Sequence, residues 1–415
     1  MRRIFLSALL VLLNACGAET GQQETGAQAA RADSIETWRL EITLPGAVLP
    51  VTLQLAGDRS QGWFENGVER VLVPDITQQG QVLRLHFPSF NNTFVLQLDG
   101  DRVSGELTLV KLGYEQVMPV RGARGLGFRF SDRPAAEVNV TGRWEAVFTS
   151  DEGEHTRAVA EFDQQGSRVT GTFLTPTGDY RYLDGEVDGR SLKLSTFDGA
   201  HAFVFTADLD ESGRLSGDFW SGTRWHESWV ARLNFNASLP DANSLTFLKD
   251  GYDTLAFEFP GLDGRPVALA DEKYRGKVVL VNLSGTWCPN CADETVFLAD
   301  YYRNNRQRGL EIITLLYEHF EEFERAARQG LALRDQYGIE YDVLVAGVSD
   351  KTLASETLPM LNRVLAFPTL IFIDRAGQVR RIHTGFSGPG TGRHYAEFVA
   401  GFNQTMDELL AEPES

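Results

Sequence analysis

Two cysteines separated by two residues are the side chains of this sequence best suited to chemistry. Cys288 and Cys291 form a C-x-x-C motif, and the only other cysteine is Cys16. A zinc site needs a second pair of ligands at similar spacing, which the sequence lacks, so we expect no metal. A purely structural disulfide is the other alternative, but a two-residue loop closes little chain entropy and stabilises weakly. The pair therefore favours thiol–disulfide exchange.

The residues around the motif predict a strand that leads directly into a helix. The apolar run 277–283 is typical of a buried parallel strand, and the residues after Cys291 carry apolar side chains at helical spacing. Pro289 suits the first helical position, where no N–H is needed. Cys288 is then expected at the helix N-terminus, where free N–H groups and the helix dipole stabilise a thiolate.

This placement predicts a reaction in two steps. Three residues along a helix bring Cys291 round to the same face as Cys288, so the two sulfurs can bond to each other or separate. The Cys288 thiolate attacks a substrate disulfide and forms a mixed disulfide. Cys291 then resolves the mixed disulfide and leaves the pair oxidised.

The rest of the C-terminal region predicts an α/β domain at 248–412. Further apolar runs at 310–316, 341–345 and 367–374 are joined by segments that include helical patterns. Strands that alternate with helices predict a mostly parallel sheet.

This region resembles the thioredoxin superfamily. The matching residues are the stretch 281–291 (VNLSGTWCPNC), Glu294, and Phe367-Pro368-Thr369. The region is most similar to the TlpA/ResA-like membrane-tethered thiol–disulfide reductases within the redoxin, or AhpC/TSA, group. The resemblance covers roughly the last two-fifths of the chain. It implies a thioredoxin-like fold, an oxidoreductase with protein thiol and disulfide substrates and a thiol electron donor, and no organic cofactor.

The resemblance also implies roles for residues of the motif. Cys288 is the nucleophile, Cys291 is the resolving thiol, and Trp287 shields the nucleophile. Glu294 matches a family carboxylate near the active site that tunes thiol acidity and proton transfer. The alternative for Glu294 is a solvated residue in the first turn of the helix, where an acid suits the dipole.

The second part of the resemblance concerns the late proline. Pro368 is implied to be a cis-proline that faces the disulfide, an uncommon bond that is usually kept for a reason. It exposes the backbone of Phe367 for strand-like pairing with a substrate, and Thr369 completes the motif. Asn282 stands where thioredoxins carry a buried acid, so we do not expect their usual proton shuttling through that position.

The N-terminus predicts a targeting segment. Two arginines precede an apolar run that is too short to span a bilayer, which indicates a signal peptide over residues 1–15. The sequence Leu-Asn-Ala-Cys at its end resembles a bacterial lipobox, which implies that Cys16 is lipidated. A plain signal peptide is the alternative.

The lipidated cysteine predicts an extracytoplasmic protein, anchored to a membrane and facing the periplasm. Residues 16–36, which start at that cysteine, are otherwise small and polar and predict a flexible tether. Gly17 stands in place of the aspartate that often retains lipoproteins at an inner membrane, so the outer membrane is favoured.

Two related all-β units are predicted between the tether and the C-terminal domain, at 37–125 and 140–236. Apolar and polar residues alternate there in short runs. Motifs such as Ser104-Gly105 recur about 110 residues later, which indicates an internal duplication. Each unit has enough strands for a small barrel or sandwich. The predicted fold class is therefore multidomain: two related all-β units followed by an α/β thioredoxin-like domain.

Three tryptophans of the second unit leave two interpretations open. Trp220, Trp225 and Trp229 lie within one short stretch. They form either an aromatic binding surface for a partner or the ordinary packing of large side chains, which are mostly buried.

The charge and the motifs limit the possible functions. The formal net charge is −18, so we expect no nucleic-acid partner. A redoxin-type peroxidase is one alternative, but the peroxidatic cysteine of peroxiredoxins resembles P-x-x-x-T-x-x-C, and neither Cys288 nor Cys291 has this upstream pattern. A surface lipoprotein whose β units bind a partner is the other alternative.

Overall fold

The folded part of the chain begins slightly earlier than the sequence predicts. A computed structural model describes residues 34–413. Cys16, the predicted signal peptide and most of the predicted tether lie outside the described residues. The first strand, β1 (Ile35–Thr43), starts within the predicted tether because its backbone already pairs with the next strand at Ile35, opposite Ala56.

The first β unit is a nine-stranded antiparallel sheet that curls on itself. Its strands are β1, β2 (Val48–Ala56), β3 (Gly62–Asn66), β4 (Glu69–Leu72), β5 (Asp75–Gln79), β6 (Val82–Phe87), β7 (Asn92–Asp99), β8 (Arg102–Lys111) and β9 (Tyr114–Arg124). The spatial order is β4-β3-β2-β1-β9-β8-β7-β6-β5. The first and last strands therefore pair, while β4 and β5 remain as the two edges.

The second β unit is a closed barrel. Its strands are β10 (Gly142–Ser150), β11 (His155–Gln165), β12 (Arg168–Thr175), β13 (Gly178–Asp179), β14 (Leu183–Asp188), β15 (Ser191–Phe197), β16 (Ala202–Leu209), β17 (Arg214–Ser221) and β18 (Trp225–Leu233). Strand β10 pairs with β18, and β12 pairs with both β11 and β14. Eight strands thus close the ring, which leaves no long unpaired edge.

The two β units have the same topology, as expected for a duplication. In each unit the first strand lies between the second and the last. Gly105 in β8 and Gly217 in β17 occupy equivalent places, and a Cβ atom there would lie only 2.1 Å from the Val95 carbonyl oxygen and 1.8 Å from that of Thr206. The prediction of two related β units is confirmed: the second unit is a closed barrel, and the first is an open sheet of the same strand order whose edges β4 and β5 do not pair.

Aromatic side chains fill the second barrel. Phe205 is fully buried, with its ring 4.4 Å from that of Phe219 and 4.9 Å from that of Phe173. Trp229 is also buried in this core. The interior is therefore a packed core rather than a ligand cavity.

The outer face of the second barrel completes the core of the first unit. Phe197 and Val204 pack into the same hydrophobic cluster as Phe64 and Phe94 of the first unit. The ring of Phe197 lies 4.9 Å from that of Phe64. The two β units thus share buried surface and form one body.

The three neighbouring tryptophans at 220–229 do not form one surface. Trp229 is 1% exposed, and Trp220 packs against the core of the first unit. Trp225, at 51% exposure, is the one that meets solvent. Packing therefore explains two of the three.

The C-terminal domain has the thioredoxin-like α/β fold. Its elements are β19 (Glu258–Pro260), β20 (Pro266–Ala268), β21 (Val278–Ser284), α1 (Pro289–Asn305), β22 (Leu310–Glu318), α2 (Phe323–Tyr337), β23 (Asp342–Val348), α3 (Lys351–Thr357), β24 (Thr369–Ile373), β25 (Val379–Thr384) and α4 (Arg393–Ala411). The central sheet has the order β23-β22-β21-β24-β25. Among the described residues, no helix is both long and apolar enough to cross a membrane.

The prediction of a mostly parallel sheet is wrong for β24, which runs in the opposite direction to the other four strands. Strands β21, β22 and β23 are parallel, whereas β24 runs antiparallel to both β21 and β25. A tight turn after Asp374, closed by the Gln378 carbonyl accepting from the Asp374 N–H, returns the chain directly into β25 without a crossover helix.

The aromatic core of the second barrel yields a stability prediction. Replacing Phe205 by Ala removes a fully buried ring, so we expect the free energy of unfolding to fall by about 3–5 kcal/mol. Val230→Ala on the outer face of β18 is the matched control, with an expected loss below about 1 kcal/mol. Urea unfolding followed by tryptophan fluorescence measures both, and equal losses would contradict a packed barrel interior.

Candidate active site

Strand β21 and helix α1 meet at the two cysteines. Every residue of β21 is buried, because the strand lies in the middle of the sheet. Cys288 has an extended backbone and is the N-cap of α1, with Pro289 as the first helical residue. The Cys291 N–H donates to Sγ of Cys288 over 3.2 Å. An N–H of the first turn, which has no partner within the helix, therefore points at the sulfur.

The two cysteines form a disulfide. Their Cα atoms are 5.2 Å apart. Cys288 is 6% exposed and Cys291 is 1% exposed. Cys288 therefore offers the sulfur that an incoming group meets first.

The loop before β24 packs against this disulfide. The Phe367–Pro368 peptide bond is cis, and the Phe367 carbonyl oxygen lies 3.5 Å from Sγ of Cys288. The Thr369 hydroxyl donates to the Ala366 carbonyl oxygen over 2.8 Å, which links the two sides of the cis bond. The structure thus brings the three residues of the late proline motif to the disulfide.

Trp287 forms a side wall of the site. Its indole N–H donates to the Tyr317 carbonyl oxygen over 2.8 Å, and its ring stacks on the ring of His319 at 4.8 Å. The edge of the Phe367 ring meets it at 5.9 Å. Because of these contacts, the indole is held beside Cys288.

Glu294 is buried beneath the first turn of α1. Its side chain is fully buried, and neither carboxyl oxygen has a hydrogen-bond partner within the protein. Burial raises the pKa of this carboxyl to about 8. The alternative of a solvated first-turn residue is therefore wrong, because the helix presents this position to the sheet.

Asn282 shares this buried polar environment. Both atoms of its side-chain amide lack a hydrogen-bond partner within the protein, as does the Ser284 hydroxyl. Asn282 pairs in register with Thr314 of β22, whose hydroxyl is also unpartnered. By strand alternation these three side chains lie on one face of the sheet.

Glu318 is a site residue that sequence reasoning missed. It ends β22 and accepts hydrogen bonds from the Thr286 N–H at 2.9 Å and the Thr286 hydroxyl at 2.8 Å, two residues before Cys288. Burial raises its pKa to about 7. An acid at the end of an otherwise apolar strand was the available signal.

The second barrel also contacts the motif, which the sequence did not reveal. Arg181 donates to the Pro289 carbonyl oxygen over 3.2 Å and forms an ion pair with Asp293 of α1. The Asn290 side-chain N–H₂ donates to the Asp179 carbonyl oxygen over 3.1 Å. Both residues between the cysteines are thus bonded to another unit of the chain.

The donor set of the site is that of a dithiol rather than a metal centre. Among residues 34–413, no group of three or more His, Cys, Asp and Glu side chains is placed to hold a metal ion. A disulfide at a helix N-terminus, opposite a cis-proline and on a thioredoxin-like sheet, defines a thiol–disulfide oxidoreductase domain.

Comparison with known proteins agrees with this class. A model of the AhpC/TSA family matches residues 251–382. Thiol-disulfide oxidoreductase ResA of Bacillus subtilis is 26% identical over 138 residues, which cover 33% of this chain and 69% of that protein. The protein of the same name from Bacillus thuringiensis (strain Al Hakam) is 30% identical over 129 residues, or 31% of this chain and 66% of that protein. The C-terminal domain belongs to the TlpA/ResA-like group of the thioredoxin superfamily.

Solved structures of similar proteins cover about two fifths of the chain or less. One is the thiol:disulfide interchange protein, thioredoxin family protein of Chlorobium tepidum TLS. It is 21% identical, covers 36% of this chain and 98% of its own, and gives a TM-score of 0.27. This chain spans about two thirds of the length of the curated relatives named above, and its two β units lie outside the matched region.

The buried Glu294 carboxyl predicts a pH dependence of stability. Its pKa is about 8 in the folded protein against 4.5 ordinarily, so the folded state keeps a proton that the unfolded state loses between these values. Stability therefore falls as pH rises from 5 to 8, by up to about 1.4 kcal/mol per pH unit for this group. Glu294→Gln should reduce that slope by up to this amount.

Urea unfolding of the oxidised protein at several pH values measures the slope. Glu324→Gln, at an exposed carboxyl of α2, is the matched control and should leave the slope as it is. A Glu294→Gln slope equal to that of the unmodified protein would show that the carboxyl does not hold a proton in the folded state.

Proposed function

We propose that this chain is an extracytoplasmic thiol–disulfide oxidoreductase that exchanges the Cys288–Cys291 disulfide with protein thiols. The observation that carries the proposal is the disulfide itself, with the more exposed sulfur 3.5 Å from the carbonyl oxygen that precedes the cis-proline. The names of the ResA relatives support the same chemistry for the matched domain.

The reduced form transfers two electrons to a substrate disulfide. The Cys288 thiolate attacks one substrate sulfur, the substrate S–S bond breaks, and the departing sulfur takes up a proton as a thiol. Cys291 loses its proton and attacks Cys288, so the Cys288–Cys291 bond forms and the second substrate thiol leaves. A thiol electron donor then restores the dithiol.

Further residues of the site bind the substrate backbone, shield the nucleophile or accept a proton. Phe367 offers its backbone to the substrate, with Pro368 and Thr369 fixing the loop, and Trp287 covers the side of the nucleophile. Glu294 lies one turn below Cys291, and the pKa of its carboxyl, about 8, is close to the about 8.5 of an ordinary thiol, so its ionised fraction can accept the proton that Cys291 loses.

The membrane location is part of the proposal. Lipidation of Cys16 would hold the protein at a membrane, with the outer membrane favoured by the sequence, and the tether would place the folded body in the periplasm. The signal-peptide pattern and the lipobox of the sequence support it.

Trapping of the mixed disulfide tests the exchange. In Cys291→Ser the mixed disulfide on Cys288 cannot be resolved, so we expect covalent protein adducts that dithiothreitol releases and that mass spectrometry assigns to Cys288. Cys288→Ser is the matched control and should trap far less, because Cys291 is 1% exposed.

Assays on the same purified proteins distinguish the proposed oxidoreductase from the alternative, a redoxin-type peroxidase. The unmodified protein should reduce insulin disulfides with a thiol donor and consume hydrogen peroxide no faster than the Cys288→Ser variant. Cys288-dependent peroxide consumption without adducts in Cys291→Ser would overturn the proposal.

A further inference from the structure

The second barrel forms one wall of the opening that leads to Cys288. A cavity of about 310 Å³ lies there. On the thioredoxin-like side it is lined by Trp287–Asn290, Lys351 and Ala366–Phe367. On the opposite side it is lined by residues of the barrel segment 175–181, which contains β13. His201 and other barrel residues complete this side. A substrate that enters this opening reaches the sulfur between these two walls.

Close backbone contact holds the barrel wall in place. Gly178 has φ +141°, and a Cβ atom there would lie 2.8 Å from the Asn290 side-chain nitrogen. The Gly388 N–H donates to the Asp179 carboxylate over 2.8 Å. A Cβ atom at Gly385 would lie 2.9 Å from the Thr177 backbone. The barrel segment is thus fitted to both the cysteine motif and the end of β25.

An ion-pair network centred on Arg181 also fixes this wall. Arg181 is 12% exposed and pairs with Asp293 of α1 and with Glu69 of the first β unit. Asp198 lies 3.9 Å from the same guanidinium. One largely buried cation of the lining thereby connects all three units, so the wall is held in place by ion pairs as well as by backbone contacts.

The opening continues as a longer cleft along the rim of the barrel. A second cavity of about 630 Å³ shares Thr177, Tyr180, His201 and Lys351 with the first. It extends toward Trp225, the exposed tryptophan of the barrel. The cleft is suited to a chain that lies along it. Cys288 is only 6% exposed, so a chain that enters the cleft reaches its sulfur more readily than a rigid protein surface does.

The charge of the cleft favours an acidic occupant. Lys351 lines both cavities, and among the described residues its ammonium group has neither an ion-pair nor a hydrogen-bond partner. The acids of the lining are already engaged or buried: Asp198 pairs with His201 at 3.0 Å, Asp179 accepts from Gly388, and Glu227 is 5% exposed.

The other basic side chains of the outer cleft have partners of their own. Arg157 pairs with Glu145 on the barrel surface at 2.8 Å, and His155 contacts the Thr149 hydroxyl. Lys351 is therefore the cation of the lining that is free to pair with a carboxylate of an occupant near Cys288.

We propose that this cleft is the substrate site and that it binds an extended, cysteine-bearing polypeptide segment with an acidic residue next to its cysteine. This inference rests on the proposed function, because it names the class of substrate that the oxidoreductase binds. The segment lies between the barrel wall and the Phe367 loop, its carboxylate pairs with Lys351, and its disulfide sulfur receives the Cys288 thiolate in the exchange written above.

Model disulfides test this substrate class. Two unstructured peptides carry one cysteine as the mixed disulfide with 2-mercaptoethanol, flanked by Glu in one and by Lys in the other. A folded protein carries the same mixed disulfide on its surface. The fluorescence of Trp287 and its neighbours reports oxidation of the reduced protein in a stopped-flow instrument. We expect the Glu peptide to react about tenfold faster than the Lys peptide, and the folded protein to react slowest.

Two variants locate the effect in the cleft. Lys351→Gln should lower the ratio of Glu-peptide to Lys-peptide rates to about one. Thr177→Trp fills the shared part of the cleft from the barrel side and should lower the ratio of the peptide rate to that of bis(2-hydroxyethyl) disulfide about tenfold. Lys249→Gln, at an exposed lysine that lines neither cavity, is the matched control and should leave both ratios unchanged.

The outcomes separate this inference from the proposed function. If the reduced protein oxidises with none of the disulfides, the proposed function fails. If it reacts equally with folded and extended substrates, or equally with both peptides, the exchange stands and the cleft is not the substrate site. Unchanged ratios in Lys351→Gln and Thr177→Trp would also overturn the inference.

Discussion

The junction between β21 and α1 is the constraint on which the site depends. A strand buried on both faces cannot shift, so its last residues fix where the helix starts. The proline at the first helical position stops the helix from starting earlier, and Cys288 takes the N-cap. The sulfur then receives an N–H of the first turn. Its neighbour β24 is set by the same sheet, which puts the cis-proline loop opposite the sulfur.

A single buried cation connects both β units to this junction. A guanidinium taken out of water is costly unless carboxylates surround it, and removing one partner leaves an uncompensated charge. Arg181 meets this requirement with acids from each of the three units. Because each unit supplies an acid, the network is complete only when all three units are assembled. A domain that looks like an appendage in the sequence is therefore part of the site.

The sequence allowed the chemistry and the fold class to be predicted, because both depend on local patterns. The C-x-x-C motif, the proline after its first cysteine and the apolar run before it each have a local physical meaning. The alternation of apolar and polar residues likewise predicted the β units. It could not predict the β12–β14 pairing, which closes the second barrel. Glu294 was recognised by resemblance, but its burial depends on packing.

Residues that act across the chain could not be predicted in this way. Arg181 lies 107 residues before Cys288, in a stretch that reads as an ordinary turn, and Lys351 begins a short helix with nothing unusual around it. Their importance comes from tertiary proximity alone. Glu318 is an intermediate case, since its place at the end of an apolar strand was visible while its bond to Thr286 was not.

The net charge of the chain overstates the negative charge that surrounds the cysteine motif. A sequence with net charge −18 would repel a thiolate if that charge were spread evenly. Four carboxyls near the motif instead have raised pKa values, because burial disfavours their charged form: Glu294 to about 8, Glu318 to about 7, and Asp179 and Asp293 to about 6. Near neutral pH, Glu294 is therefore mostly protonated and Glu318 about half protonated, so the first turn of α1 faces less negative charge than a count of acids indicates. Burial of these acids thus helps an acidic protein to keep a thiolate at the helix N-terminus.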